Sequence, residues 1–252
     1  MTGRNSQLFI DAGPQGVLTA GHGHADALSI QLITNGRPVL IDPGTFCYVC
    51  SERDRFRGTA AHNTLQIDGR DQAQPKGPFA WSGLPEITVD RWHSSETGDF
   101  FAGHHNGYHP VIHYRYVFGL NNKFWLVRDV VTGPSQHHLD IRWHYLDERD
   151  LAILPVAGHT WSQSIEPWDW SPVYGRKEPA KVLRFTTDTS LPAEFPVILV
   201  PSDPGVFTQT ASGAYHYKEP QGSEHEFVFG DHVGDRFIYR AISPAGVTEH
   251  SL

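Results

Sequence analysis

The sequence predicts an all-β protein, an antiparallel β-sandwich of the supersandwich type with few or no helices. Three observations carry that expectation. Aromatic residues make up 12% of the 252-residue chain, and 24 Gly with 18 Pro punctuate it densely, a mixture that suits short strands between turns. Asn35-Gly36 stands between two apolar runs, the strongest local signal for a hairpin. Residues 111–120 alternate cleanly, with Ile112, Tyr114, Tyr116 and Phe118 on one face and His113 and Arg115 on the other.

In chain order, a short opening strand covers 7–12 and stops at Gly13-Pro14. Strands at 28–33 and 37–41 flank Asn35-Gly36. A two-residue turn makes Leu32 face Val39 and Ile30 face Ile41, so Leu28, Ile30, Leu32, Val39 and Ile41 share the core face. Asp42 then falls on the opposite face, and a straight extension of the first strand puts His24 on the core face. The two meet only if the chain bends near Gly21 and Gly23. Residues 51–58 are polar and Arg-rich and read as a surface loop, 63–67 as a strand and 72–77 as a loop. Strands follow at 87–92 and 100–104. The run 124–131 is apolar on both faces, as in the middle of a sandwich, and Asn121-Asn122 makes the turn before it. Strands at 138–144, 182–186, 196–200, 226–229 and 236–241 complete the series. No helix exceeds a turn or two, nothing repeats, and one domain over 1–252 is the simplest organisation.

A chain of 28.2 kDa can bury a sizeable core. The formal net charge of −8 without a basic block argues against a nucleic acid or a membrane surface as partner. No apolar run is long enough to span a bilayer, and the first residues lack the apolar segment of a signal peptide. Cys47 and Cys50 form a Cys-x-x-Cys, which raises a redox or metal role. With no second pair and no βαβ pattern around it, two ordinary thiols in a loop are expected.

The chemistry concentrates in 21–68, where His24, Asp42 and His62 sit on separate segments. Imidazole and carboxylate are the usual ligands of a borderline divalent metal. Each motif is weak alone: Asp42-Pro43-Gly44 is also a turn, and His62 is also a packable histidine. Taken in order, three stretches resemble the heparinase II/III-like polysaccharide lyases. They are Gly21-His22-Gly23-His24-Ala25-Asp26-Ala27-Leu28-Ser29, then Leu40-Ile41-Asp42-Pro43-Gly44-Thr45, then Thr59-Ala60-Ala61-His62-Asn63-Thr64-Leu65. Arg142-Trp143-His144 and Trp170-Ser171-Pro172-Val173-Tyr174-Gly175 also look like that family. The resemblance runs over at least 8–181 and is to the family's C-terminal β-sandwich alone.

That resemblance implies that His24, Asp42 and His62 hold a divalent metal, zinc first, with Asp26, Asp68 and His113 as competing or fourth ligands. It implies β-elimination at a uronic acid, with His22 as the catalytic residue of this chain. It implies an N-terminal (α/α) toroid, outside this chain, that supplies the other catalytic groups, so the isolated chain is expected to be inactive. The substrate is then an acidic polysaccharide, heparin/heparan-like or alginate-like, and the full-length protein is periplasmic or secreted. Arg53, Arg55 and Arg57 alternate between ligand-bearing segments and can clamp carboxylate or sulfate, Arg57 being the expected substrate contact. Tyr48 and Tyr174 are expected to stack on sugar rings. Two other functions fit less of the chain. One is a non-catalytic carbohydrate-binding or interface module. The other is a jelly-roll metal-dependent oxygenase, against which the eighteen positions from His24 to Asp42 count.

Overall fold

The computed structural model describes residues 1–2, 5–120, 123–201, 203–230 and 236–252. Antiparallel sheets stack in three layers. The middle layer is a six-stranded sheet in the spatial order Ala152–Pro155, Ala193–Val200, Phe124–Thr132, Val111–Leu120, Asp99–Tyr108, Ile87–Ser94. Its strands alternate between two apolar cores. Phe101, Val117, Trp125, Val127, Val197 and Leu199 enter one; Phe100, Phe118, Phe124, Leu126, Ile198 and Val200 enter the other.

The first core is closed by a four-stranded sheet (Ser162–Trp170, Glu178–Ser190, Gln136–Tyr145, Leu65–Ile67) and a three-stranded one (Ser6–Ile10, Ile30–Thr34, Arg37–Leu40). The second is closed by five sequential strands, Val206–Gln209, Tyr215–Lys218, Glu224–Phe229, Phe237–Ser243 and Gly246–Ser251. Here Phe207, Tyr215, Tyr217, Phe227, Phe237 and Tyr239 meet the central sheet. A strand apolar on both faces is what a middle layer requires, and 124–131 supplies it. Among the described residues, no helix is long and apolar enough to cross a membrane.

The hairpin turn is as expected: Asn35 and Gly36 have φ of 51° and 73°, the left-handed pair of a type I′ turn. The register beyond it is not. Thr34 faces Arg37 and Ile33 faces Pro38, but a bulge then places Leu32 opposite Leu40 rather than Val39. Pro38 has no N–H to give the ladder at this point, and past the break Val39, Leu40 and Ile41 are all buried. Seven strands lie outside the expected series, among them Ser162–Trp170, whose side chains are all exposed or half-buried and leave no apolar phase. Gln74–Pro75 pairs with Trp81–Ser82 where a loop was expected. The turn at Asn121-Asn122 lies outside the described residues.

Candidate metal centre and its aromatic rim

His24 is not on an extended strand. The strand begins at Ile30, and the chain before it is an irregular loop folded against two others. The bend falls at the two glycines. A Cβ on Gly23 would collide with the Gln15 carbonyl, and one on Gly21 would crowd the Phe79 carbonyl, so both positions need hydrogen. Trp81 Nε1 donates to the Gly23 carbonyl at 2.9 Å, and the Ala25 N–H donates to the Arg57 carbonyl at 2.8 Å. The bend releases His24 from the core face and lets it approach Asp42.

Asn63 joins the ligand-bearing segments. Its Nδ2 donates to the carbonyls of Ile30 (2.8 Å) and Ile41 (2.9 Å), and its Oδ1 accepts from the His144 N–H at 2.6 Å. One buried amide thus fixes the strand after His24, the residue before Asp42 and the neighbour of His62. Behind it lies a buried ionic fork. Arg115 donates to both oxygens of Asp129 (2.8 and 2.9 Å), and its Nη1 donates to the carbonyls of Leu28 (2.8 Å) and Asn63 (2.6 Å). His113 Nε2 lies 2.7 Å from Asp129, and His105 Nε2 lies 3.1 Å from His113 Nδ1. Burial opposes the Asp129 charge, but Arg115 and His113 hold its pKa at about 2. Burial keeps His105 and His113 below the ordinary histidine range.

In front of this scaffold, ligand atoms of His24, Asp26, Asp42 and His62 all lie within 4.8 Å of one another. His24 Nδ1 is 3.1 Å from His62 Nε2, which is 3.7 Å from Asp42 Oδ2 and 4.0 Å from Asp26 Oδ2. A tetrahedral zinc with ligands at about 2.0–2.2 Å needs ligand–ligand edges of about 3.3–3.6 Å. The cluster straddles that size and mixes nitrogen with oxygen donors. His62 Nδ1 lies 2.8 Å from the Gly58 carbonyl and donates to it, which turns the lone pair of Nε2 toward the group. These residues therefore fit a divalent ion. Burial first, and after it His62, Arg53 and Arg57, push the His24 pKa down to about 2; burial raises Asp26 to about 6. A neutral imidazole is what a metal requires.

Of the other expected ligands, Asp26 joins the cluster. Asp68 pairs instead with His137 at 2.8 Å, and His113 is committed to Asp129. Asp11, which carries no motif, stands close enough to Asp42 and His62 to interact with them electrostatically, and burial raises its pKa. His144 was noted only as part of a motif; its Nε2 lies 3.1 Å from the Ala60 carbonyl, and its Nδ1 is buried without a partner.

His22 stays outside the cluster, on an exposed rim. Its ring meets Tyr48 edge-on at 5.3 Å and Phe79 at 6.1 Å. Tyr48 and Tyr174 pack with centroids 5.5 Å apart, and Tyr174 is 63% exposed. The structure thus gathers His22, Tyr48 and Tyr174 on one surface, and adds Phe79, which no local pattern marked. Arg57 is not there. The expected surface loop is a one-turn helix, Arg53–Arg57, with Arg53, Phe56 and Arg57 buried. Arg57 is spent on Asp54 (2.6 Å), on the Gly77 and Pro78 carbonyls, and on the face of Trp81. Arg55 reaches the surface and pairs with Asp169 at 2.5 Å. Cys47 and Cys50 are not free thiols; a disulfide bridges them beside Tyr48.

A layered antiparallel sandwich with a two-histidine, two-carboxylate cluster at one end defines the class: a β-sandwich carrying a candidate metal site. The chain belongs to the heparinase II/III-like family, whose C-terminal domain model matches residues 1–197. A curated relative, the heparin-sulfate lyase of Pedobacter heparinus, is 24% identical over 146 residues, covering 56% of this chain and 20% of its own length. The solved heparan sulfate lyase HepC from Pedobacter heparinus superposes with a TM-score of 0.70 at 17% identity, over 99% of this chain and 39% of that one. A heparinase III structure gives 0.69 at 14% identity, over 98% and 39%. At these identities the structures speak for the fold. The chain spans well under half the length of these relatives.

Proposed function

We propose that this chain is the β-sandwich part of a polysaccharide lyase that cleaves a uronic-acid polymer by β-elimination. One observation carries the assignment: an exposed histidine, His22, stands among aromatic rings two positions from the ligand cluster. The relatives' names favour a heparin- or heparan-like polymer over alginate. In such a reaction a base removes the proton next to the carboxylate. The glycosidic C–O bond breaks, a C=C bond forms in the ring, and an acid protonates the leaving oxygen. His22 would carry one of these proton transfers, while Tyr48 and Tyr174 would stack on sugar rings. The remaining catalytic groups would come from an N-terminal (α/α) toroid.

His24, Asp42 and His62, with Asp26 beside them, would hold a zinc ion whose contribution is to tie their segments together. The full-length protein would work in the periplasm or outside the cell, where acidic polysaccharides lie and disulfides such as Cys47–Cys50 persist. The family match lends nothing to the oxygenase alternative.

Elemental analysis and an ultraviolet assay for the unsaturated product test the proposal. The chain is expected to carry about one zinc, His24→Ala to lose it and His22→Ala to keep it. In a protein that includes the toroid, His22→Ala should slow turnover by roughly a hundredfold or more. Unchanged turnover would leave a carbohydrate-binding module; loss of metal in His22→Ala would move His22 into the ligand set.

A further inference from the structure

We propose that Arg53 is the receptor for the substrate's carboxylate, an inference that rests on the lyase assignment above. Arg53 opens the short helix and is only 3% exposed. Two other arginines are buried as deeply, and both have a carboxylate: Arg57 has Asp54 and Arg115 has Asp129. Among the described residues Arg53 has none. It makes two long hydrogen bonds, Nε to the Pro78 carbonyl and Nη2 to the Gly21 carbonyl, each at 3.4 Å. Nη1 is buried with no partner at all. Burial, and after it Arg57, push the Arg53 pKa below the ordinary arginine value, whereas its hydrogen bond to Asp140 pushes that of Arg184 above it.

A guanidinium offers five donors in a planar fork that matches a carboxylate. Burying that charge without a counter-ion is unfavourable, and a bound anion supplies what the fold withholds. The location fits the chemistry. The Gly21 carbonyl that Arg53 holds belongs to the peptide preceding His22, and the guanidinium lies 5.0 Å from the Tyr48 ring that His22 also touches. Elimination requires the carboxylate to be neutralised beside the carbon that loses its proton. Arg53 meets the carboxylate and His22 the proton.

Calorimetric titration of the chain with three probes tests this: a sulfated heparan tetrasaccharide, its carboxyl-reduced form and its desulfated form. In the wild type, carboxyl reduction should weaken binding about tenfold or more, the scale of one charge-assisted fork. Arg53→Met should bind the intact probe about as weakly as the wild type binds the carboxyl-reduced one, and should no longer distinguish the two. If Arg53→Met keeps the carboxyl preference, Arg53 falls while the lyase assignment stands. If it loses only the response to desulfation, the site is a sulfate receptor and the carboxylate is excluded. If the wild type binds none of the probes, Arg53 falls as a receptor in this chain, and the lyase assignment stands or falls on the ultraviolet assay alone. Melting supplies a second readout. Arg53→Met should melt at or above the wild-type temperature, since it removes an unpaired buried charge, whereas Arg57→Met should melt lower. An Arg53→Met that fails to fold, or melts as low as Arg57→Met, makes Arg53 structural and overturns the proposal.

Discussion

Replacing Arg115 with Met should be among the most damaging single changes in this protein. The side chain is fully buried and donates four hydrogen bonds, two to Asp129 and one each to the carbonyls of Leu28 and Asn63. Without it, Asp129 is a buried carboxylate whose remaining side-chain partner is His113. Breaking such a pair costs about 3–5 kcal/mol; the Leu28 carbonyl, left without its donor, adds about 1 kcal/mol or more, while the Asn63 carbonyl keeps the Ile30 N–H at 3.3 Å. The sum, about 5 kcal/mol or more, is a third or more of the roughly 5–15 kcal/mol that stabilises an ordinary domain. Urea unfolding followed by tryptophan fluorescence would read it. Arg115→Met with Asp129→Leu removes both charges, so the double variant should be at least about 2 kcal/mol more stable than the two single losses predict together. An Arg115→Met protein within about 1 kcal/mol of wild type, or strictly additive losses, would refute the claim that this fork fixes the segments behind the ligand cluster.

Acid should destabilise the fold well before the carboxylates titrate. His105 and His144 are held far below the ordinary histidine value, chiefly by burial, so below about pH 6.5 the unfolded chain takes protons that the folded one refuses. Stability present above that pH is lost as it falls, by about 2.7 kcal/mol per pH unit for the pair; below about pH 4, protonation of Asp129, held at about 2, adds to the loss. Denaturant midpoints that do not change between pH 7 and 5 would rule this out. Gly23→Ala forces a methyl against the Gln15 carbonyl and should cost about 1–3 kcal/mol together with much of the bound metal, while Gly13→Ala, with nothing closer than 3.8 Å, should be nearly silent in melting and metal content.

Alternation carried most of the fold. Val111–Leu120 occupies the strand that its periodicity marks, and the doubly apolar 124–131 lies in the middle layer. What stayed hidden was what periodicity does not encode. Ser162–Trp170 is exposed or half-buried along its length, so it leaves no apolar phase to find. The bulge after Ile33 depends on local backbone pairing that composition does not report. Of the site, the ligands His24, Asp42 and His62 were legible only as an ordered set, because the bend that brings them together depends on contacts of Gly21 and Gly23 with distant carbonyls. The arginines mislead for a physical reason: a polar, charged stretch reads as solvated, yet Arg57 and Arg53 are tucked under a hairpin whose carbonyls they reach twenty or more residues on. Phe79 reaches the rim from the same hairpin, with no local pattern to announce it.

The central strands of the middle sheet have no wet side. Phe118, Phe124, Leu126, Ile198 and Val200 are dry only because the strands from Val206 to Ser251 cover them. The match to the family's C-terminal domain model ends at residue 197, inside a strand of that sheet. A polypeptide stopped there would lack Ile198 and Val200 and would present Phe118, Phe124 and Leu126 to water, each worth about 1.5–3 kcal/mol when buried, a total of about 5–9 kcal/mol that is comparable to the stability of a whole domain. The limit of the match to the domain model is therefore not the limit of the unit that folds.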